Sequence, residues 1–325
     1  MKSAFALCLF TVTASLPAFA ADYNPWKNAA TYEVTYTVDL TQWAADPVGQ
    51  TRVWIPMPAE NDHQKVLSNS INSPWPVKET VDANGNRYCY VEPGGAKTAT
   101  TAVVCKYMVE RMPYSMISKS EVKQDSPLDP ARYLGPERHV PIDGEIAELA
   151  AKTAAGKQTD AEKIRAFYDY ATSTMKYSKE GEGWGRGDVN WACNSKYGNC
   201  TDFHSVIIAM CRSQKIPARF MIGFPLSAEK SEGTVAGYHC WAEAYDSERG
   251  WVPMDASEAW KAKRFDDFFG NLPSDRVEFT LGRDLTLNPP QQAEPLNFIV
   301  YPYAEVNGKD AGKALWKLEY KRVKP

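Results

Sequence analysis

Between Tyr197 and Asp255 the chain changes its hydrophobic period in a fixed order, and that order restricts what it can fold into. Gly198-Asn199 is turn chemistry. From Phe203 the apolar residues recur at Phe203, Val206, Ile207, Met210 and Cys211, the spacing of one helix face. Arg212 and Lys215 put positive charge in the last turn, and Pro217 stops the helix. Two strand-like runs follow, from Gly237 to Tyr245 and from Gly250 to Asp255. The short connection between them suits a hairpin that lays the two strands side by side.

Three chemically capable residues sit at the critical points of this segment. Cys200 falls in the first turn of the helix, where unsatisfied N–H groups and the positive end of the dipole favour a thiolate. Its own backbone N–H is placed to help hold an oxyanion. His239 shares one face of its strand with Trp241 and Glu243, while Cys240 and Ala242 take the other. A histidine in reach of the thiol takes its proton and later returns one to a leaving group. Asp255 closes the second strand, where its carboxylate would fix the imidazole tautomer and stabilise the imidazolium. Singly, each has a bland reading. Most cysteines are buried and inert, a strand histidine is usually a satisfied packing residue, and an aspartate after a strand is usually a turn residue. The order and the three local settings together favour a catalytic triad.

The run Gly198-Asn199-Cys200-Thr201-Asp202-Phe203-His204-Ser205, followed by Arg212 and Ile216-Pro217-Ala218-Arg219, resembles the nucleophile helix of the bacterial transglutaminase-like superfamily. Gly237-Tyr238-His239-Cys240-Trp241-Ala242-Glu243 resembles its histidine strand, and Gly250-Trp251-Val252-Pro253-Met254-Asp255 its aspartate strand. The resemblance covers roughly residues 140–260. It implies a papain-like core and a Cys-His-Asp triad carried by Cys200, His239 and Asp255. It leaves the reaction open, because such families include cross-linkers, peptidases, amidases and inactive relatives.

The N-terminus reads as a secretory leader. Lys2 supplies the positive end, Ala4 to Leu16 an apolar stretch, and Ala18-Phe19-Ala20 a small-x-small cleavage site. The expectation is a leader over 1–20, cleaved after Ala20, and a periplasmic or secreted protein. The stretch is too short to span a membrane, and no membrane insertion is expected. A net charge of −3 in 325 residues implies neither nucleic acid nor an anionic membrane as partner. Export permits disulfides. Cys89 and Cys105 flank the turn-rich Glu92-Pro93-Gly94-Gly95 on what read as neighbouring strands, and form one candidate bridge. Cys193 and Cys240 form a second candidate, and Cys211 reads as an inert thiol on the apolar helix face. Spacing alone leaves the connectivity open.

The fold class expected is α+β: a papain-like transglutaminase core preceded by an antiparallel β-sandwich-like domain. Residues 21–112 alternate in strand fashion, as in Tyr32, Val34, Tyr36 and Val38. Residues 113–141, with Pro113, Pro127, Pro130, Pro136 and Pro141, read as a linker. Residues 142–260 carry the catalytic domain, with Asp143 capping Gly144 to Thr153 and a capping box at Thr159-Asp160-Ala161-Glu162. Residues 261–325 read as a C-terminal extension with short strands.

Further site candidates surround the triad. Trp184, Trp191 and Asn194 precede the nucleophile, and an indole N–H or amide there would complete an oxyanion hole; the competing reading of Trp191 is core. Tyr238 and Trp241 are candidates to line the substrate cleft. His204, one turn from Cys200, reads as a packing or substrate-side residue. The spacing of Cys200, His204, His239 and Cys240 is looser than structural zinc sites use, and adjacent strand residues face opposite ways, so no metal and no cofactor is expected. The expected activity is thioester formation from a peptide or carboxamide carbonyl, then transfer of the acyl group to an amine or water. The alternatives are a cysteine peptidase or amidase on cell-envelope or extracellular peptides, and a non-catalytic binding module on the same fold.

Overall fold

A computed structural model of the chain describes residues 23–44, 50–94, 101–116 and 129–324. The expected leader over 1–20 lies outside the described residues, as do 117–128 of the proline-rich stretch. The fold is α+β, built on antiparallel sheets with helices gathered around one of them. No described helix is long and apolar enough to cross a membrane.

Two five-stranded sheets form the sandwich. The first runs Glu232–Thr234, Leu315–Lys324, Ala30–Asp39, Ala102–Arg111, Gln64–Asn72 in spatial order, and the second Lys309–Asp310, Tyr303–Val306, Thr51–Pro56, Arg87–Val91, Val77–Val81. Alternation does what it predicts. Tyr32, Val34, Tyr36 and Val38 are buried from one sheet, Val53, Ile55, Cys89 and Val91 from the other, in one continuous apolar interior. The outer face of the second sheet is covered too: Trp54, Tyr88 and Tyr90 pack under Leu285, Leu287 and Ile299.

Both ends of the described chain build this sandwich. Leu315–Lys324 pairs along the whole of Ala30–Asp39, from Thr31 opposite Lys324 to Asp39 opposite Leu315. Tyr303–Val306 pairs with Thr51–Pro56. Glu232–Thr234, from within the helical half, adds to Leu315–Lys324. Periodicity marks a strand and its buried face but not its partner, so nothing in 261–325 announces that its strands complete sheets begun at residue 30. Cys89 and Cys105, read from sequence as neighbours in one sheet, instead lie in opposite sheets and meet across the interior. Both are free thiols, as are Cys193 and Cys240.

The third sheet, Gly250–Met254, His239–Asp246, Ala218–Pro225, Arg276–Leu281, carries the site. Helix Cys200–Ser213 packs on its His239–Asp246 and Ala218–Pro225 strands. Helices Gly144–Thr153, Asp160–Thr174, Val189–Ser195 and Ala256–Ala262 enclose the other sides. Every residue from Cys200 to Arg212 is buried, so this helix has no solvent face. Its polar residues are therefore paired. Arg212 donates to the carbonyls of Ala218 and Gly135 and to Glu137, and Arg283 donates to Ser205 Oγ at 2.6 Å. The sandwich is stitched to the third sheet at Glu278, whose backbone exchanges hydrogen bonds with the Gln64 side chain and whose carboxylate lies 3.7 Å from Arg111.

Candidate active site

The nucleophile turn is built by reciprocal capping. Asn199 is the N-cap of helix Cys200–Ser213, and its Oδ1 accepts from Thr201 N at 2.8 Å. Asp202 returns the bond, accepting from Asn199 N at 2.9 Å. The same carboxylate accepts from Gly185 N at 2.7 Å and Gly187 N at 2.9 Å, which ties the glycine-rich approach to the helix start. Burial pushes the Asp202 carboxyl up to about 6, against these three backbone donors. A side chain at Gly187, at φ +62°, would collide with Ser205, and one at Gly198 would collide with Asp202 itself, so both approaches need glycine. Cys200 is the first residue of the helix and is 3% exposed.

The hairpin does what its connection length suggests. Asp246 pairs with Gly250 and Ala242 with Met254, so the end of the second strand returns to the start of the first. His239 Nε2 and Asp255 Oδ2 lie 2.6 Å apart, both buried. That leaves Nδ1 on the side of the ring away from Asp255, and the charges of the imidazole and of Cys200 act on each other. Glu258 Oε1 lies 3.9 Å from the same Nδ1 and also pairs with Lys261.

Asp255 is more than a turn residue. It is the N-cap of helix Ala256–Ala262, with Oδ1 accepting from Glu258 N at 3.0 Å and Ser257 Oγ at 3.1 Å. Its Oδ2 is shared between His239 and Arg276 Nη1, the latter at 3.0 Å. Sequence reading missed Arg276. The available signal was charge at alternate positions, Arg276 and Glu278, in an otherwise strand-like run: charged residues on the buried face of a strand must be paired.

These contacts set the charges. Burial alone would lower His239, but the Asp255 charge and hydrogen bonds to Asp255 and Cys200 raise it to about 10. Burial would raise Asp255, but His239 and Arg276 hold it well below the usual carboxylate range. Burial would raise Cys200 as well, yet hydrogen bonds from Cys240 and His239 and the imidazolium charge bring it well below an ordinary thiol. All three directions favour a thiolate–imidazolium pair facing a carboxylate. The other thiols go the opposite way: burial raises Cys211 and Cys193, and burial with the neighbouring Cys200 raises Cys240.

His204 is a packing residue of a particular kind. It is fully buried, and its Nε2 accepts from Ala256 N at 3.1 Å. Burial lowers its pKa, so the ring is neutral with its proton on Nδ1, which faces Cys240 Sγ at 3.7 Å. It thus pins the helix of Asp255 to the helix of Cys200.

The remaining candidates divide. Tyr238 joins the site: its hydroxyl accepts from Asn199 Nδ2 at 2.9 Å and lies 3.0 Å from Thr201 Oγ1, on either side of Cys200 in sequence. Trp184 spends its indole N–H on the Gly181 carbonyl, 3.1 Å away within its own loop, and so is not an oxyanion donor here. Trp191 is half-buried, edge-on to Tyr197 and against Gly183, where it supports the glycine-rich loop. Asn194 is exposed on helix Val189–Ser195. Trp241 does not line a cleft. It shares the His239 face of the strand, but Tyr114, Met221 and Leu272 bury it, with Arg276 5.1 Å and Arg111 5.9 Å from its ring.

Several known proteins are similar to this chain. Residues 147–256 match the family model of the transglutaminase-like superfamily. A protein of Haemophilus influenzae, named only as uncharacterized, is 27% identical over 95% of each chain. The uncharacterized protein YebA of Bacillus subtilis is 26% identical over 129 residues, 35% of this chain and 18% of its own. Among solved structures, the "Putative Cysteine Protease" of Cytophaga hutchinsonii superposes with a TM-score of 0.59 at 18% identity, over 92% of both chains, which shows the shared fold.

Proposed function

For this member of the transglutaminase-like superfamily, we propose a cysteine acyl-transfer activity in which Cys200 is the nucleophile, His239 the acid and base, and Asp255 the orienting carboxylate. The observation that carries the proposal is the buried His239 ring, hydrogen-bonded through Nε2 to Asp255 at 2.6 Å and acting by its charge on the Cys200 thiol at a helix start.

The Cys200 thiolate attacks the carbonyl carbon of a peptide or carboxamide. Negative charge moves to the carbonyl oxygen, where the Cys200 N–H, in the first helical turn, is the donor we assign. His239 Nδ1 gives its proton to the leaving nitrogen, the C–N bond breaks, and an amine or ammonia departs. The product is a Cys200 thioester and a neutral imidazole. Water or a second amine then attacks the thioester, His239 takes the proton, and the thiolate leaves with the imidazolium restored. Asp255 stays ionised throughout, held by Arg276 as well as by His239.

Hydrolysis is the reading we place first for the second step, since water needs no site of its own. We further propose that the protein works outside the cytoplasm after loss of residues 1–20. Incubation with peptide esters, quenched in acid, tests the chemistry. Intact mass should rise by the acyl group, on Cys200 alone, and hydroxylamine should remove it. An adduct on another residue, or none while substrate is consumed, would overturn the assignment.

A further inference from the structure

A second binding feature begins where the nucleophile turn ends. Four aromatic rings run in contact away from Cys200. Tyr238 lies 5.9 Å from Phe298 and 5.9 Å from Tyr301, and Tyr301 stacks on Trp316 at 4.7 Å with an interplanar angle of 24°. Tyr238 is pinned at both ends. Its hydroxyl is held by Asn199 and sits beside Thr201, and its backbone N–H donates to the Tyr301 hydroxyl at 3.0 Å. Phe298, Tyr301 and Trp316 are only half-buried, although each packs on the main core. With Pro302 and Ala314 they line an apolar groove of about 520 Å³, with Asp310 and Lys313 at its margin.

Nothing in the chemistry of acyl transfer needs this groove, and the fold does not need large rings left half open. Stacked aromatic faces bind flat apolar groups by burial and by ring–ring geometry. A rim carrying one charge of each sign gives no preference for a charged occupant. We propose that this groove receives an aromatic side chain of the peptide acyl donor. Tyr238 touches two rings of the groove wall and is hydrogen-bonded to Asn199 beside Cys200, so the wall and the catalytic turn are one packed unit and the occupant we assign is part of the molecule whose carbonyl meets Cys200. The rings step 5.9 Å and then 4.7 Å from Tyr238 to Trp316. An extended peptide advances about 3.4 Å per residue, so the groove selects one position along the donor. The inference rests on Cys200 being the nucleophile.

The test uses tetra-alanine chloromethyl ketones in which a single phenylalanine is moved through the four positions, with iodoacetamide as a control that needs no groove. The readout is the second-order rate of Cys200 alkylation. In the native protein, phenylalanine at one of the four positions should raise the rate ~10-fold over the all-alanine reagent. Trp316→Ala should cut that preference to about twofold or less, and Trp316→Phe should keep most of it, while the iodoacetamide rate stays the same in both. If Trp316→Ala loses iodoacetamide labelling because it does not fold, Ala314→Phe takes its place: filling the groove should abolish the preference in the same way. Equal rates at all four positions, or a preference that survives both Trp316→Ala and Ala314→Phe, would overturn the groove's role. Wild-type protein in which neither reagent selects Cys200 would instead overturn the cysteine-enzyme reading, and the groove's role with it.

Discussion

The sandwich and the catalytic sheet bury their residues by opposite rules. Within the sandwich the two sheets meet through Tyr32, Val34, Val38, Val53, Ile55 and Val91, side chains that any well-fitting apolar partner satisfies. Beneath the site the interior holds Asp255, Arg276, Glu278 and Glu243, each buried and each needing a particular counterpart; half-buried Arg219 pairs with Glu243, and Arg111 reaches Glu278 from the end of a sandwich strand. Apolar burial is non-directional and scales with area. Buried charge is costly unless paired, and removing one partner leaves the other stranded. The first interior should therefore fail gradually and in stability alone, the second abruptly and in activity first.

The sharpest way to separate the two regions is to strike the nucleophile. Cys200→Ala should abolish turnover and leave thermal unfolding nearly unchanged, since it removes one small group at a helix start; turnover that persists would end the assignment. His239→Ala should follow, with a loss of at least ~10³-fold in kcat, because both proton transfers lose their agent. Asp255→Asn should cost ~10²-fold to ~10³-fold, less than in serine hydrolases because a thiol needs less help from a base than a hydroxyl does.

Arg276→Gln tests whether the buried charges act on the site or only fill space. It should leave the backbone intact and lower kcat by ~10-fold, with the acid limb of the pH–rate profile moved upward as Asp255 protonates more readily. The fold should lose about 3 kcal/mol from the broken pair. A stability loss with an unmoved pH profile would reduce Arg276 to a structural role. Leu318→Ala sits at the other extreme. Leu318 is buried on the strand paired with Ala30–Asp39. Its truncation should cost about 2–5 kcal/mol by denaturant unfolding and leave kcat of the folded protein unchanged.

pH gives the smallest and most diagnostic signal. His239 is raised to about 10, so the free energy of its pairing is fully present below its ordinary value near 6.5 and is lost as pH rises through about 10. The iodoacetamide rate at Cys200 should accordingly be flat through neutrality and change only toward pH 10. A single rise centred near 8.5 would mark Cys200 as an unassisted thiol.

What was legible in the sequence follows the same division. Cys200, His239 and Asp255 could be read because each sits in a motif defined by its immediate neighbours: a turn and helix start, an alternating strand, a strand end. Helices Gly144–Thr153 and Asp160–Thr174 begin after the N-cap positions read from the sequence; the Thr159–Glu162 box is formed as spaced, whereas the Asp143 side chain makes no capping hydrogen bond. Arg276 was not legible, because its partner is 21 residues away and is reached only through strand pairing. The same holds for Cys89 and Cys105, whose sheets could not be assigned from alternation. Trp184 and Trp241 were misplaced because residue type suggests what an indole can do but not which way it points. Tyr238 lies against the nucleophile turn because it adjoins the histidine.

The pairing of Leu315–Lys324 with Ala30–Asp39 has a kinetic consequence. A chain emerging from its N-terminus makes Ala30–Asp39 early and must keep one edge of that strand open until almost all the rest has been synthesised. An unpaired edge of ten alternating residues, with Tyr32, Val34, Tyr36 and Val38 on one side, is a template for association with other chains. Closing the longest possible loop comes last, and contacts of that separation are the slow ones. The nucleophile is thus made well before the frame around it shuts. Folding to activity should lag behind chain completion, and a holding chaperone that masks strand edges should raise the yield of active protein more than it raises the rate of forming helix.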